Sequence, residues 1–173
     1  MIEGEKVRLR PWIDRDIAAM TLIRNDVPLQ AQLLAKVRGS DATQVRHWLV
    51  QRSSSVDSLL LVIADTKSDG AIGFFQLTGL DSTDHRADLG ICLARPWQGK
   101  GLGSEVLSLA MPHVRNTCDL RKFSLRVRAD NAGAIRCYAK AGFKECGRLR
   151  KHMFLEGVWH DIVLMEYFFP AEK

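Results

Sequence analysis

The chain has 173 residues, a length typical of one globular domain with a substantial core. Apolar residues make up 46% and charged residues 26%, and the net charge of +5 suits anionic ligands but is too modest to indicate a nucleic-acid partner. No apolar run approaches the ~18 residues that span a bilayer, and the N-terminus lacks the apolar segment of a signal peptide. We therefore expect a cytoplasmic protein with no membrane partner.

The cysteines show neither a C-x-x-C spacing nor a neighbouring histidine pattern. They are Cys92, Cys118, Cys137 and Cys146. A zinc site or a disulfide framework is therefore not expected, and no metal cofactor is predicted. Reduced, buried thiols in a cytoplasmic protein are the simpler interpretation.

The first third of the chain predicts one strand followed by helices. Residues 6–12 alternate between apolar and polar side chains and predict the first strand. Asp14 is expected to cap a helix that ends just before Pro28. Further helical patterns cover residues 29–38 and 43–52.

Three strands then follow in close succession. Residues 58–65 are a nearly continuous apolar run, which is typical of a central strand covered on both faces. A turn at residues 67–70 leads into the third strand over residues 71–80, and residues 86–94 form the fourth. Strands joined by such short turns predict an antiparallel meander.

A glycine-rich turn connects the fourth strand to a helix. Pro96 ends the strand, and residues 98–103 read Q-G-K-G-L-G. Glycines let the backbone approach a ligand closely, and the free N–H groups of the first helical turn favour a phosphate. The P-loop motif does not match, because it requires Ser or Thr after Gly-Lys and Gly101 follows Lys100 here. The dinucleotide-binding motif G-x-G-x-x-G does not match either, because Ser104 stands at its last glycine position. A plain capping turn remains the alternative to a pyrophosphate site.

The rest of the chain predicts a crossover, a helix and a closing hairpin. Residues 122–128 alternate as a strand, and the helix before them makes this a βαβ unit, so this strand should run parallel to the fourth. The basic side chains of this strand, Lys122, Arg126 and Arg128, lie on one face. Exposure of that face to solvent explains them at least as well as nucleic-acid binding does. Residues 131–141 predict a helix, and residues 144–168 predict a hairpin around Glu156-Gly157.

Two motifs resemble the GCN5-related N-acetyltransferases, or GNAT proteins. Residues 98–103 resemble the Q-x-x-G-x-G loop that holds the acyl-CoA pyrophosphate in that family. Residues 129–143 resemble the motif N-x-x-A-x-x-x-Y-x-x-x-G-F, matched at Asn131, Ala134, Ile135, Tyr138, Gly142 and Phe143. Residues 147–161 resemble the RimJ/RimL and spermidine-acetyltransferase branch, as does a degenerate W-x-N-D motif at residues 23–26 that lacks its tryptophan.

The resemblance implies an α/β (α+β) GNAT fold as a single domain over residues 1–173. Such a fold has a mixed central sheet of about seven strands flanked by about four helices. The sheet splays in a V between strands four and five, which here are residues 86–94 and 122–128. Acetyl-CoA would enter that gap.

The resemblance also implies the coenzyme contacts. The pantetheine arm would pair with backbone groups of residues 91–93, and the pyrophosphate would sit on the N–H groups of residues 98–104. Asn131 would contact the coenzyme, although it is equally a good N-cap of its helix. The expected coenzyme-binding residues are Ile91, Cys92, Leu93, Gln98, Gly99, Lys100, Gly101, Leu102, Gly103, Ser104, Asn131 and Tyr138.

The implied activity is acetyl transfer from acetyl-CoA to a primary amine by direct attack in a ternary complex. The acceptor would be a protein N-terminus or a small-molecule amine. Tyr138 would act as the general acid for the leaving thiolate, the alternative being a plain core tyrosine. Asp88 is the best candidate base, directly or through a water, the alternative being a solvent-facing strand residue; weaker candidates are Asp26, His85 and Glu105.

Other interpretations stay open at this point. A non-catalytic acyl-CoA-binding regulator with the same fold is the main alternative. Because Cys92 would lie near the thioester, a covalent acetyl intermediate on its thiol is a further hypothesis, although direct transfer needs no such nucleophile. An apolar strand edge near residues 163–169 permits a dimer, so we expect a monomer or homodimer.

Overall fold

Within residues 1–35 and 39–170, which this computed structural model describes, the chain folds around a mixed sheet of eight strands. The strands are β1 (Ile2–Glu3), β2 (Val7–Arg10), β3 (Ser58–Asp65), β4 (Ala71–Asp81), β5 (Arg86–Leu93), β6 (Lys122–Arg128), β7 (Lys144–Leu155) and β8 (Val158–Phe168). Their order is β1-β2-β3-β4-β5-β6-β8-β7, and β5 and β6 are the parallel pair. The mixed sheet is confirmed, and the short β1 adds one strand to the approximate number expected.

Five α-helices flank the sheet in the described ranges. They are α1 (Asp16–Asn25), α2 (Val27–Gln32), α3 (Ala42–Ser54), α4 (Leu102–Cys118) and α5 (Ala132–Lys140). Pro28 lies in the first turn of α2, where its missing N–H costs nothing, so that helix begins earlier than predicted. Residues 36–38 of the predicted second helix lie outside the described residues.

The predicted cap at Asp14 is wrong. Helix α1 begins at Asp16, and the Asp14 carboxylate instead accepts a hydrogen bond from the exposed Arg46 at 2.7 Å. Asp16 is buried, and its carboxylate accepts hydrogen bonds from Nη1 and Nη2 of Arg10, at 2.7 and 3.0 Å. Its carboxylate also accepts the backbone N–H of Ile13 at 2.8 Å. The entry to α1 is therefore set by a buried ion pair with the sheet rather than by a side-chain cap.

Each face of the sheet carries its own hydrophobic core. One core lies beneath α4 and α5 and includes Leu9, Ile63, Phe75 and Phe123. The other lies beneath α1, α2 and α3 and includes Met20, Leu49, Val62, Phe74 and Cys92. Ile63 and Val62 are consecutive in β3 and fall in different cores, which confirms a central strand covered on both faces.

The sheet opens between β5 and β6. Their pairing begins at Arg86 and Lys122 and ends at Asp88 and Ser124. Beyond that point β5 stays paired to β4 as far as Leu93, while β6 stays paired to β8 as far as Arg128. Each strand therefore follows its antiparallel neighbour, and the expected V-shaped splay is confirmed.

Strand β8 is not an edge strand, so the expected apolar edge near residues 163–169 is wrong. It lies between β6 and β7, and the sheet edges are β1 and β7. Val163 and Met165 are buried against neighbouring strands. The apolar stretch therefore serves the interior of the sheet.

The cysteines are free, but only Cys92 is fully buried. Cys118 and Cys137 are half-buried and Cys146 is exposed, which corrects the expectation that all four thiols are buried. Residues 1–35 and 39–170 contain no helix long and apolar enough to cross a membrane. The same residues hold no cluster of three or more potential metal ligands from histidine, cysteine and acidic side chains.

Candidate active site

The turn after β5 is shaped by two glycines and a glutamine. The side-chain amide of Gln98 donates to the carbonyl of Leu93 at 2.8 Å and closes the turn. Gly99 and Gly101 have φ of 72° and 80°, in the left-handed region that glycine adopts without strain. Gly101 is the N-cap of α4, and its carbonyl accepts the N–H of Ser104 at 3.1 Å. The N–H groups just inside the helix face outward with the positive end of the helix dipole.

Gly103 lets the start of α4 approach α5 closely. A Cβ at this position would lie 3.1 Å from Sγ of Cys137, which is tighter than ordinary packing. The Oγ of Ser104 lies 3.6 Å from the same sulfur. The glycine at the end of the motif therefore brings the glycine-rich turn beside α5.

Helix α5 is held at both ends. Asn131 caps its N-terminus, because Oδ1 accepts the N–H of Ala134 at 3.1 Å. At the other end the N–H of Phe143 donates to the carbonyl of Tyr138 at 3.0 Å, and Gly142 has φ of 97°. This is a Schellman ending, and it packs the Phe143 ring against Tyr138 with centroids 5.7 Å apart. Tyr138 is thus fixed by the helix end and by its aromatic neighbour.

The Tyr138 side chain is buried at the gap between β5 and β6. Burial raises the pKa of its phenol above the ordinary value, the neighbouring Cys137 acts in the same direction, and a backbone hydrogen bond at Ile91 opposes both. The phenol is therefore protonated at neutral pH, and its O–H can be donated. Tyr138 belongs to the core beneath α4 and also lines both cavities described below. A place in the core is therefore compatible with a place in the candidate site.

A cavity of about 430 Å³ lies between β5, the glycine turn and α5. The predicted residues that line it are Ile91, Cys92, Leu93, Gln98, Gly99, Gly101, Leu102, Gly103, Ser104, Asn131 and Tyr138. Lys100 is not among the lining residues, and its ammonium lies 5.3 Å from the centre of the Trp97 ring. The coenzyme contacts stay a prediction, but the residues proposed for them surround one space.

Sequence reasoning missed several residues of this cavity. Arg136 and Lys140 line it from α5, and Leu29 and Leu33 line it from the opposite side. The two basic residues are four apart, which places them on one helix face, so this signal was available in the sequence. The leucines come from a segment distant in the sequence, which only the fold brings to the cavity.

A second cavity of about 250 Å³ adjoins the first, because Ile91, Asn131, Ala134 and Tyr138 line both. Asp88 lines the second cavity, and its side chain is exposed there. Asp88 pairs with Thr78 on β4 and with Ser124 on β6, at the point where the sheet opens. Sequence reasoning missed the remaining polar lining, namely Gln32, Gln76, Thr78 and Arg126.

The weaker candidate bases are engaged elsewhere. Asp26 caps α2 and accepts a hydrogen bond from Arg95 at 2.7 Å. Glu105 accepts the backbone N–H of Lys6 at 2.8 Å, and His85 lies 3.2 Å from Asp119. None of the three is among the described residues that line either cavity.

Cys92 is poorly suited to act as a nucleophile. Burial raises the pKa of its thiol to about 12, and the negative charge of Asp26 adds to the effect. A thiol with so high a pKa carries almost no thiolate at neutral pH, and the thiolate is the reactive form. The covalent intermediate considered from the sequence therefore has no support here.

The degenerate motif at residues 23–26 does not form the wall of the second cavity. The Arg24 guanidinium stacks on Trp48 at 4.4 Å, and Asn25 exchanges two hydrogen bonds of 2.8 Å with the backbone of Ser40. The cavity is lined instead by Gln32, the last residue of α2, and by Leu33 and Leu34 immediately after it. The segment next to the motif, rather than the motif, lines the cavity.

Comparison with known proteins assigns the family. Residues 6–144 match the family described as "Acetyltransferase (GNAT) domain". Spermidine N(1)-acetyltransferase of Escherichia coli (strain K12) is 31% identical over 93 residues, which are 54% of this chain and 50% of that protein. The chain thus spans about half the length of the curated relatives it matches first.

Solved structures share the fold over almost the whole chain. Spermidine N-acetyltransferase from Vibrio cholerae in complex with CoA and spermine gives a TM-score of 0.87 at 20% identity, covering 95% of this chain and 96% of that one. The ribosomal L7/L12 acetyltransferase RimL in complex with coenzyme A gives 0.83 at 17% identity, with coverage of 98% and 97%. The splayed sheet, the glycine turn and the family match over residues 6–144 lead to one conclusion: this chain belongs to the GNAT acetyltransferase family.

Proposed function

We propose that the protein transfers the acetyl group of acetyl-CoA to a primary amine. The supporting observation is that two cavities meet where β5 and β6 separate, and that Ile91 and Tyr138 line both. One cavity is bordered by an anion-binding turn and the other by a carboxylate. A coenzyme and an amine would therefore meet at the backbone of Ile91 and the phenol of Tyr138.

The first cavity suits acetyl-CoA by its chemistry. The left-handed Gly101 exposes the N–H groups at the start of α4 to a pyrophosphate, and the cations of Arg136 and Lys140 lie on the same cavity wall. Leu29, Leu33 and Leu93 offer apolar surface to the pantetheine arm.

The backbone of β5 offers a donor for the developing oxyanion. The N–H of Ala94 donates to Ile72 on β4 at 2.9 Å. Because backbone groups alternate in direction along a strand, the N–H of Cys92 also faces β4, whereas the N–H groups of Ile91 and Leu93 face the gap. We assign the oxyanion contact to Ile91, because this residue lines both cavities.

The transfer itself requires three proton movements. Asp88 would accept the proton that the ammonium loses, through a water because its side chain is short, and pass it to solvent. The amine lone pair attacks the thioester carbonyl, and a C–N bond forms. As the C–S bond breaks, Tyr138 would give its proton to the leaving thiolate, and the second proton lost by the nitrogen would restore the phenol directly or through water.

The test is a free-thiol assay with acetyl-CoA and a panel of amines, with mass spectrometry of the products. Thiol release together with an acetylated amine supports the proposal. Tight binding of acetyl-CoA without release for any amine would indicate the non-catalytic acyl-CoA-binding regulator instead.

We further propose that residues 1–173 form one domain that acts in the cytoplasm as a monomer or homodimer. A single sheet runs from β1 to β7, which supports one domain. The four cysteines are free, which suits a reducing compartment.

A further inference from the structure

Arg126 is a cation that faces the acceptor side of the site. It is exposed on β6 and lines the same cavity as Asp88. Two other cations of this strand are paired: Lys122 lies 2.8 Å from Glu166, and Arg128 lies 2.5 Å from Asp130. Within residues 1–35 and 39–170, Arg126 makes no ion pair with an acidic side chain. Its charge is therefore available to a ligand.

The register places Arg126 and Asp88 on one face of the sheet. Asp88 pairs with Ser124, and Arg126 follows two residues later on β6, so its side chain leaves the same face. The equivalent step along β5 reaches Gly90, which has no side chain to fill the gap. A Cβ at Gly90 would lie 3.3 Å from the Gln76 side chain, so this glycine keeps the cavity open. A carboxylate and a guanidinium thus face one small cavity.

We propose that the acceptor is a small amino carboxylic acid, such as a free amino acid. This rests on the acetyl transfer proposed above. Its ammonium would lie toward Asp88 before deprotonation, and its carboxylate would be bound by the guanidinium of Arg126, which suits carboxylates in a bidentate manner. Its apolar part would pack on Leu33, Leu34 and Phe74, which line the same cavity.

The charge arrangement discriminates against other amines. A polyamine would place a second cation near Arg126, and like charges in one cavity oppose binding. A peptide N-terminus would present a neutral amide carbonyl where an amino acid has its carboxylate. Arg126 would then lose the stronger, charge-assisted interaction.

The experiment compares amino acids with their primary amides, because the amide keeps the amine and the side chain and loses only the negative charge. Thiol release from acetyl-CoA gives kcat/KM for each pair, expressed per unprotonated amine because the carboxylate changes the amine pKa. We expect the acid to exceed its amide by roughly tenfold to a hundredfold, the scale of one charged hydrogen bond. Equal values, or a higher value for amides or spermidine, would overturn the inference.

Two variants make the assignment specific to Arg126. Arg126→Gln should reduce the ratio of acid to amide towards one, mainly through KM for the acid. Arg150→Gln removes the same charge from the exposed face of β7, outside both cavities, and should leave the ratio unchanged. Arg126→Glu should reverse the preference and favour diamines. If the ratio of acid to amide were unchanged in both Arg126 variants, Arg126 would not be the residue that binds the carboxylate.

The outcomes separate this inference from the proposed function. Acetylation of amines without preference for the carboxylate would leave the acetyltransferase proposal standing and reject the amino acid acceptor. Binding of acetyl-CoA without acetylation of any amine in the panel would reject both. The ratio measured on the wild-type protein needs no variant, so misfolding of an Arg126 variant would not obscure the answer.

Discussion

At the scale of single residues, the site joins side chains that also serve the fold. Tyr138 is 9% exposed, packs on Phe143 and still borders both cavities. Asn131 caps α5 and borders the same cavities. A core or capping role therefore does not argue against a functional role here, because each of these residues contacts the protein interior on one side and borders a cavity on the other.

Tyr138→Phe removes one hydroxyl and almost no volume. If the phenol protonates the leaving thiolate, kcat should fall by roughly tenfold to a thousandfold, while acetyl-CoA affinity changes little. Steady-state kinetics and calorimetry measure the two quantities. Tyr167→Phe is the matched control, because the ring of Tyr167 packs on Phe143 and Phe169 without lining either cavity. A kcat of the Tyr138→Phe variant equal to that of the wild type would mean that Tyr138 has only a structural role.

Asp88→Asn keeps the shape of the side chain and removes its basicity. If Asp88 accepts the ammonium proton, the variant should lose rate most at low pH and recover in part at high pH, where more free amine is present. Acetyl-CoA affinity should be unchanged, because the glycine turn follows the opposite end of β5. The pH–rate profile of Asp84→Asn, an exposed aspartate beside Arg86, serves as control. Superimposable profiles for wild type and Asp88→Asn would exclude this base.

At the scale of elements, the turn between β5 and α4 carries the coenzyme proposal. Gly101→Val would hold a branched side chain at a φ of 80° and project it into open space at the helix N-terminus. We expect acetyl-CoA affinity to be lost while the circular dichroism spectrum remains native. Gly157→Val is matched in strain, with a φ of 78° and equally open surroundings, but it lies in the turn between β7 and β8. Equal calorimetric affinity for both variants would contradict the proposed pyrophosphate seat.

Elements with a strong local pattern were predictable from the sequence, and those whose bounds depend on contacts with another element were not. The strand at 58–65 matches β3 residue for residue, because an apolar run of that length between turns leaves little choice. The start of α1 was misplaced because Asp14 is a typical cap by residue type, whereas the entry to the helix is set by the ion pair between Asp16 and Arg10 at the end of β2. The two-residue β1 has no pattern of its own and forms only because β2 pairs with it.

At the scale of the whole molecule, the site follows from a competition between strand pairings. Strand β5 follows β4 and β6 follows β8, so the parallel pair must open beyond Asp88 and Ser124. The motifs located β5, the glycine turn and α5 in the sequence. Arg126, Leu33 and Leu34 belong to no motif and reach the cavity only through long-range packing, which is why sequence reasoning did not select them.

The opposite wall of the site depends on how the N-terminal helices are tied to the sheet. Arg10 at the end of β2 binds the Asp16 carboxylate through two N–H groups, and it also donates to the backbone carbonyl of Asp69 at 3.0 Å. Both partners of the Arg10–Asp16 pair are nearly inaccessible, with side-chain exposures of 7% and 1%. The pair therefore links α1 to the turn between β3 and β4, and through α1 it supports the segment after α2 that lines the second cavity.

Asp16→Asn should destabilise the whole protein, because it removes the carboxylate that binds Nη1 and Nη2 of the buried Arg10 guanidinium and leaves only Asp69, 3.2 Å from Nε, as its counter-charge. Breaking one partner of a buried pair costs about 3–5 kcal/mol, a large part of the roughly 5–15 kcal/mol that holds a typical domain folded. Asp14→Asn is the control, since it breaks an exposed pair with Arg46, and exposed pairs of this kind add little to stability. Urea unfolding followed by tryptophan fluorescence gives both free energies. Similar losses in the two variants would mean that the Arg10–Asp16 pair adds no more than a surface contact, and that apolar packing beneath α1 alone positions this wall of the second cavity.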